Sequence, residues 1–327
     1  HEVSFADYPL FERAPYETAL SSKIVDVAKF EQLDLLHVHY AIPHAATAYM
    51  AKQILKTQGI DLPYITTLHG TDITLVGKDP TYAPVVTFSI NQSDGVTAVS
   101  QDLKDQTYTN FQITSNIEVI PNFVDLTRFR KAKKEHFKKA IAPHGEKILI
   151  HTSNFRKVKR TQDVVLIFQK VHEQIPSKLL LVGDGPERQN LEILCRDLNL
   201  SEYVRFLGKQ DPVEELLAVS DLFLMPSETE SFGLAALEAM ACQVPVIASN
   251  AGGIPEIMIQ GVTGFMSDVG DVDDMSSRAI SILIDDQLHN QFKIQALEHA
   301  KKYDLEKVLP KYEAFYEKVL QDSTVVQ

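Results

Sequence analysis

Short apolar runs alternate with segments of helical periodicity along most of the chain. In the first half, runs rich in Val, Ile, Leu and Thr occupy residues 33–40, 63–69 and 94–100, and helical spacing occupies 43–56 and 83–91. Near-continuous apolar runs of this length are typical of strands that are buried on both faces of a parallel sheet. We therefore predict βαβ units in this half of the chain.

The same alternation restarts after residue 146. The predicted strands of this second half are the apolar runs at 147–153, 178–183, 203–208, 221–227 and 245–249. The predicted helices between them lie at 160–174, 186–198, 213–219 and 232–241, and only helices follow residue 271. This pattern predicts an α/β protein with two successive doubly wound Rossmann-like domains. Ligands of such domains lie at the carboxyl ends of parallel strands, so we expect the chemistry in a cleft where the two domains face each other.

A basic segment separates the two halves. Seven Lys or Arg residues lie between Arg128 and Lys139, and we interpret this stretch as an interdomain linker. A patch that binds an anionic membrane is the alternative, but no Trp or Leu face accompanies the charge. The three predicted parts of the chain are residues 1–142, 143–304 and 305–327. Because strand-like alternation is already present at residues 1–5, we expect the first domain to be incomplete at its start.

The composition is that of an acidic globular protein. Asp and Glu number 44 against 32 Lys and Arg, so the formal net charge is −12, which disfavours a nucleic-acid partner. Cys195 and Cys242 are the only cysteines, and the histidines His37, His39 and His44 lack the spacing of a metal site. No apolar run reaches the roughly 18 residues of a membrane span. We predict a cytoplasmic protein without a metal or stable membrane insertion, and we allow for a homodimer.

Two carboxylates eight residues apart follow the fourth predicted strand of the second half. Glu230 falls in the loop before a small-residue helix, and Glu238 lies about two turns along that helix among Ala, Leu and Met. A carboxylate in apolar surroundings needs hydrogen-bond donors, and the paired hydroxyls of a ribose or sugar are suitable. The N–H groups of Phe232, Gly233 and Leu234 at the helix start can hold a diphosphate. The alternative is that Glu230 caps the helix and Glu238 lies on a solvated face.

Four cations lie within five positions after the first predicted strand of the second half. They are Arg156, Lys157, Lys159 and Arg160. In so acidic a chain, this concentration indicates a site that clamps a pyrophosphate and stabilises it as a leaving group. A Lys-rich surface turn is the alternative interpretation.

The turn GDGPE at 183–187 disfavours a nicotinamide-dependent oxidoreductase. It lacks the third glycine of a dinucleotide-binding fingerprint. A tight strand-to-helix turn with Pro186 at the first helical position explains the segment fully.

Several motifs together resemble retaining glycosyltransferases of family 4. They are ETESFGLAALE, LVGDGPE, SDLFLMPS, HGTD, and AGGIPEI followed by GVTGF, and they span nearly the whole chain. The resemblance implies the two-domain GT-B fold, with an acceptor-side domain followed by a donor-binding domain and a C-terminal helix that returns to the first domain. The stretches HVHYAIPHA, TTLHGTDITLVG, SNFRKVKR and NQSDGVTAVS are similar to the branch that transfers N-acetylglucosamine from UDP-N-acetylglucosamine to the hydroxyl of L-malate in bacillithiol synthesis. That branch implies retention at the anomeric carbon and no metal or cofactor.

The resemblance also implies roles for single residues. Glu230 would bind the hydroxyls of the donor sugar and Glu238 those of the ribose, while Lys159 would hold the diphosphate. The usual family arginine falls on Asn154, and we assign its role to Arg156. The predicted catalytic residues are Lys159, Arg156, Glu230 and His69; the donor-binding residues are Glu238, Phe232, Gly233, Leu234, Gly208, Lys209 and Asn154; the acceptor-binding residues are Tyr40, Thr67, Thr71 and Asn122.

We expect a front-face substitution in which the leaving diphosphate accepts the proton of the malate hydroxyl. Two alternatives stay open. One is a family 4 transferase that acts on another sugar, lipid or polysaccharide acceptor. The other is a two-domain sugar-binding protein that closes on its ligand without turnover.

Overall fold

The computed structural model describes residues 1–3, 15–75, 77, 79–132 and 134–325. It divides the chain into two compact units. The first comprises His1–Pro121 together with Leu309–Gln327, and the second comprises Asn122–Val308. Residues 1–3 are not in a strand, and the rest of the strand-like start that we predicted lies outside the described residues.

The first unit contains a parallel sheet in which the strands follow chain order. Its strands are β1 (Leu36–His39), β2 (Tyr64–Leu68), β3 (Gly95–Ala98) and β4 (Ile117–Val119). Its helices are α1 (Tyr16–Glu31), α2 (Ala46–Lys56), α3 (Ala83–Asn91) and α4 (Gln101–Asn110), and short helical turns occupy Ala41–Ala45 and Thr71–Leu75. Every residue of β2 is buried, as expected for a parallel strand that is covered on both faces.

The second unit contains a larger parallel sheet. Within the described residues its strands are β5 (Lys147–Thr152), β6 (Ser177–Val182), β7 (Val204–Gly208), β8 (Leu222–Met225), β9 (Val246–Ser249) and β10 (Gly264–Ser267). The helices are α5 (Glu135–Ile141), α6 (Thr161–His172), α7 (Arg188–Asp197), α8 (Glu214–Val219), α9 (Leu234–Ala241), α10 (Ile254–Ile257), α11 (Val272–Ile284) and α12 (Asp286–Ala300). The last helix, α13 (Leu305–Val325), contributes its residues from Leu309 onward to the first unit. The predicted α/β class with two Rossmann-like domains is confirmed.

The strand order of the larger sheet locates a ligand site. The order is β10-β9-β8-β5-β6-β7, so the direction of winding reverses between β5 and β8. These two strands are neighbours, with Leu149 beside Leu222 and Ile150 beside Phe223. In open α/β sheets the crevice for a ligand lies beyond the carboxyl ends of the strands at such a reversal. The segments that leave β5 and β8 are those that carry Lys159 and Glu230.

The basic segment that we interpreted as a linker belongs to the second unit. Arg128 forms ion pairs with Glu214 at 2.9 Å and with Asp211 at 3.0 Å. Lys138 in α5 donates to the buried carboxylate of Asp221 at 2.8 Å. These contacts place the basic segment in the second unit, so the first boundary falls at 121/122 and not at 142/143 as drawn from the sequence. The second boundary falls at 308/309, four residues after the 304/305 drawn from the sequence.

Candidate functional site

The loops after β5 and β8 are joined by an ion pair. Lys159 Nζ donates to Glu230 Oε1 at 2.7 Å, and both side chains are largely buried. The hydroxyl of Ser227 donates to the same carboxylate oxygen at 2.8 Å. The backbone also links the loops, because Glu228 N–H donates to the carbonyl of Val158 at 2.8 Å. The cation and the carboxylate that the sequence predicted as catalytic are therefore brought together.

The start of α9 lies beside this pair. Gly233 precedes the helix with φ = 91°, a left-handed conformation that favours glycine. Phe232 is buried and packs edge-to-face on Tyr303, with ring centroids 5.8 Å apart, while Leu234 is exposed as the first helical residue. The N–H groups of the first helical turn have no partner inside the helix and carry its positive dipole end. An anion is well stabilised at such a position.

Two glycines let the loop after β9 approach Glu230. Gly253 N–H donates to the carbonyl of Glu230 at 2.8 Å. A Cβ on Gly252 would lie 2.1 Å from that carbonyl oxygen, and a Cβ on Gly253 would lie 2.4 Å from the carbonyl oxygen of Ser231. The sequence AGG is thus required to hold the Glu230 backbone in place.

The loop that carries Lys159 rests on the GDGPE turn and on a buried histidine. Phe155 is fully buried, and its carbonyl accepts from Glu187 N–H at 3.0 Å. A Cβ on Gly183 would lie 1.8 Å from the carbonyl oxygen of Ser153. His151 Nδ1 donates to the carbonyl of Leu224 at 2.8 Å, and His151 Nε2 is 2.7 Å from Ser153 Oγ. Burial lowers the pKa of His151 to about 4, so its ring is neutral and ties β5 to β8.

The predicted position of Pro186 is wrong. The helix α7 begins at Arg188, two residues later than expected, because Pro186 and Glu187 form the turn that supports Phe155.

Glu238 lies on α9, and the pKa of its carboxyl is raised well above the ordinary value. Burial raises the pKa of its carboxyl to about 7, the charge of Arg128 opposes this shift, and the charge of Glu214 adds to it. No described side chain hydrogen-bonds this carboxyl, so it keeps its capacity to accept from a ligand. Arg128 was missed by the sequence analysis, since it lies 110 positions before Glu238 in the basic segment that we interpreted as a linker.

The remaining donor-side predictions occupy the same edge of the sheet. Gly208 ends β7 with φ = 65°, its carbonyl accepts from Gly183 N–H at 2.8 Å, and Lys209 beyond it is exposed. Asn154 and Arg156 are exposed in the loop after β5. The Asn154 carbonyl packs on the GDGPE turn, where its oxygen would lie 2.1 Å from a Cβ on residue 185.

In the first unit, the predicted acceptor residue Thr67 is fully buried in a hydrogen-bond network. Its hydroxyl lies 2.7 Å from His37 Nε2 and 2.7 Å from Thr97 Oγ1, and the Tyr312 hydroxyl also bonds to it. His37 Nδ1 in turn lies 2.7 Å from the Tyr316 hydroxyl. Thr67 therefore ties helix α13 to β1–β3 and does not present its hydroxyl to a ligand.

The other predicted residues of the first unit lie at the ends of β1 and β2. His69 Nε2 is 2.8 Å from His39 Nδ1, and the ring of Tyr40 lies 5.0 Å from that of His69. Tyr40 and Thr71 are exposed. Asn122, the fourth predicted acceptor residue, is the first residue of the second unit. His39 was considered in the sequence as a metal ligand and was not among the predicted site residues, because nothing in the sequence pairs it with His69.

The described part of the chain contains neither a metal-binding cluster nor a membrane-spanning helix. Among residues 1–3, 15–75, 77, 79–132 and 134–325, no group of three or more His, Cys, Asp or Glu side chains is arranged to hold a metal ion. No helix there is long and apolar enough to cross a bilayer. Cys195 and Cys242 are buried free thiols.

Comparison with known families gives two matches. The family described as glycosyl transferases group 1 matches residues 132–299, and the family described as glycosyltransferase family 4 matches residues 1–128. Over 324 residues the chain is 48% identical to N-acetyl-alpha-D-glucosaminyl L-malate synthase of Bacillus anthracis, a match that covers 98% of this chain and 84% of the relative. It is 26% identical over 317 residues to the sulfoquinovosyl transferase SQD2 of Arabidopsis thaliana, covering 90% of this chain and 59% of that protein.

Solved structures share the fold. HepE of Anabaena in complex with UDP-glucose superimposes with a TM-score of 0.81 at 23% identity, covering 96% of this chain and 85% of that one. Sucrose-phosphate synthase of Thermosynechococcus elongatus superimposes with a TM-score of 0.78 at 21% identity, covering 97% and 83%. At these low identities the two structures show only that the fold is shared, and that fold is GT-B, as predicted.

Proposed function

The chain belongs to the family 4 glycosyltransferases, and on that premise we propose that it transfers N-acetylglucosamine from UDP-N-acetylglucosamine to the hydroxyl of L-malate, with retention and without a metal. The assignment of a nucleotide-sugar donor rests on the Lys159–Glu230 pair beside the start of α9. The acceptor half is supported by the high identity to a malate-glycosylating relative over nearly the whole chain.

Donor binding uses groups that are already in position. The diphosphate lies at the first turn of α9 and takes Lys159 as its counter-ion, with Arg156 as the second cation. Glu230, released from Lys159, then accepts hydrogen bonds from the sugar hydroxyls. Glu238 accepts the paired hydroxyls of the ribose, which is the role that its unpartnered carboxyl suits.

The reaction breaks the bond between the anomeric carbon and the diphosphate oxygen and forms a bond from that carbon to the malate hydroxyl oxygen. Negative charge grows on the diphosphate as its bond breaks, and Lys159 and the helix N-terminus stabilise this charge. The malate hydroxyl proton passes to a diphosphate oxygen on the same face. The products are UDP and the α-glycoside of malate.

A covalent glycosyl-enzyme is the other route to retention, and it needs a carboxylate nucleophile facing a second carboxylic acid across the bond. In the proposed complex, ligand hydroxyls engage both Glu230 and Glu238, and Ser227 still donates to Glu230, so neither carboxylate serves as the nucleophile. We therefore place the reaction on one face of the sugar.

The test is to incubate the protein with UDP-N-acetylglucosamine and L-malate in the presence of EDTA. Mass spectrometry should detect the malate glycoside, and the anomeric proton coupling in NMR should identify the α-anomer. Lys159→Ala should form product far more slowly than the unmodified protein, whereas Lys157→Ala, at an exposed cation of the same loop, should form it at nearly the unmodified rate. UDP release without a malate adduct would point to another acceptor. Binding of UDP-N-acetylglucosamine without UDP release would point to a sugar-binding protein.

A further inference from the structure

The carboxyl edge of the first sheet is rich in histidine and poor in stronger bases. The described segments that follow its strands contain no Lys or Arg; they are residues 40–47, 69–75, 99–103 and 120–121. His39 ends β1, His44 follows it in the next turn, and His69 follows β2. A dicarboxylate that binds at this edge therefore meets imidazoles as the basic groups of these segments.

The three imidazoles are arranged around one tyrosine. His39 Nδ1 and His69 Nε2 are 2.8 Å apart, and His44 Nδ1 donates to the carbonyl of His39 at 2.7 Å. The Tyr40 ring lies 5.0 Å from the ring of His69 and 6.3 Å from that of His44. Tyr40 has φ = 75°, a conformation that side-chain-bearing residues rarely adopt and that marks functional positions more often than packing positions.

The protonation state of the His39–His69 pair determines how many N–H donors it presents to a ligand. The contact between His39 and His69 uses one N–H, so the neutral pair keeps a single further N–H on its outer nitrogens. One added proton would give a second outer N–H and a positive charge. Burial and the neighbouring imidazoles lower the pKa of His69 to about 4 and lower that of His39 as well. A bound anion would reverse this shift.

The other titratable groups around the pair do not supply that anion. The ring of His37 lies 4.6 Å from that of His39, and Tyr312 and Tyr316 of α13 face His37. Asp72 is buried, its carboxylate accepts from Ala41 N–H at 2.8 Å and from Gly70 N–H at 3.0 Å, and burial raises its pKa.

We propose that His39, Tyr40 and His69 form the subsite for a carboxylate of a 2-hydroxydicarboxylate acceptor, with His44 as a positioning residue that holds the His39 carbonyl. The proposal rests on the proposed function and adds the residues that recognise the acid. Binding takes up one proton on the His39–His69 pair, so the charge of the acceptor is met by an imidazolium and by the Tyr40 hydroxyl. His39 and His44 were not among the acceptor residues predicted from the sequence.

The test compares a dicarboxylate with a monocarboxylate acceptor. His39→Asn should raise the KM for L-malate by about tenfold or more, as expected when a charged hydrogen bond is lost, with kcat changed less than about threefold. His44→Asn should raise that KM by a smaller factor, because it removes only the hydrogen bond that holds the His39 carbonyl. The preference for L-malate over L-lactate in kcat/KM should fall in both variants. The dissociation constant of UDP should stay unchanged. His136→Asn, an exposed histidine of α5, is the matched control and should match the unmodified protein.

A second readout separates recognition from mere positioning of His69. The KM of the unmodified protein for L-malate should rise with pH between 6 and 8, and this rise should flatten in His39→Asn. If malate and lactate lose kcat equally, or if the KM for malate stays unchanged, the subsite is wrong. If the unmodified protein forms no malate glycoside, the proposed function is wrong, and the subsite proposal that rests on it is wrong as well.

Discussion

The pKa of Glu238 predicts how nucleoside affinity depends on pH. Burial raises this pKa to about 7, and the ribose hydroxyls form strong, charge-assisted hydrogen bonds only with the ionised carboxylate. With a pKa of about 7, roughly one tenth of the carboxyl is ionised at pH 6 and roughly nine tenths at pH 8. Uridine should therefore bind about ten times more tightly at pH 8 than at pH 6, a difference of about 1.4 kcal/mol.

Uridine is the right probe because it lacks phosphates that would titrate in the same range. Isothermal calorimetry at half-unit steps from pH 5.5 to 8.5 gives the midpoint, and Glu238→Gln should bind weakly with no pH dependence. Arg128→Gln should move the midpoint to higher pH and Glu214→Gln to lower pH, because their charges act on Glu238 in opposite directions. A flat profile for the unmodified protein, or a tenfold change that survives in Glu238→Gln, would refute the assignment of Glu238 to the ribose.

Folding stability should respond to the same group with the opposite sign. A carboxyl whose folded-state pKa is raised stabilises the fold below its ordinary pKa of about 4.5, and this contribution is lost as the pH rises to about 7. The charged form that binds ribose is thus the form that the fold tolerates less well. Donor binding supplies the hydrogen bonds that the buried carboxylate otherwise lacks.

Three further predictions follow from the second unit. Lys159→Ala should lower kcat by about 10²–10³-fold and raise KM less, since the charge that Lys159 meets grows in the transition state; an unchanged kcat in steady-state assays would remove it from the mechanism. Gly252→Ala should abolish UDP binding in calorimetry, because the new Cβ would lie 2.1 Å from the Glu230 carbonyl oxygen. Gly145 also has a positive φ but faces open space, so Gly145→Ala is the control and should bind UDP normally. Equal losses of binding in the two variants would show that backbone strain alone is responsible. A histidine with its pKa lowered to about 4 stabilises the fold above pH 6.5 and loses this effect on acidification. Between pH 7.5 and pH 5, the free energy of unfolding from urea titrations should therefore fall by about 2 kcal/mol less in His151→Gln than in the unmodified protein. An identical pH dependence in both proteins would contradict a neutral buried ring.

The fold was predictable because most of its strands are continuous apolar runs in the sequence. Tyr64–Leu68 and Leu222–Met225 are buried along their whole length, so no polar alternation obscures them. Helices α1, α4 and α10 and strands β4 and β10 escaped prediction. The sequence of α4, QDLKDQTYTN, is polar with only two buried residues, and β10 is four residues long with two half-buried positions.

The candidate donor site was predictable as a set of loops but not as a set of contacts. Strand ends followed by Lys, Arg and Glu could be recognised locally, because the chemistry of a phosphate site concentrates these residue types. The partners could not, since Lys159 meets Glu230 across 71 positions and Glu230 depends on glycines more than 20 positions later. The burial of Thr67 has the same origin, because its partners Thr97 and Tyr312 come from other elements.

If the donor binds as proposed, the Lys159–Glu230 pair also accounts for a phosphate site in a chain of net charge −12. A lone ammonium group at this depth would be costly, and Glu230 offsets that cost in the folded protein. When a diphosphate replaces Glu230 as the counter-ion, Lys159 keeps an anionic partner, so little new desolvation is required at that residue. Glu230 then becomes available to the sugar hydroxyls only after the diphosphate has taken Lys159. Sugar recognition is in this way made dependent on the leaving group, which restricts tight binding of the hexose to its activated form.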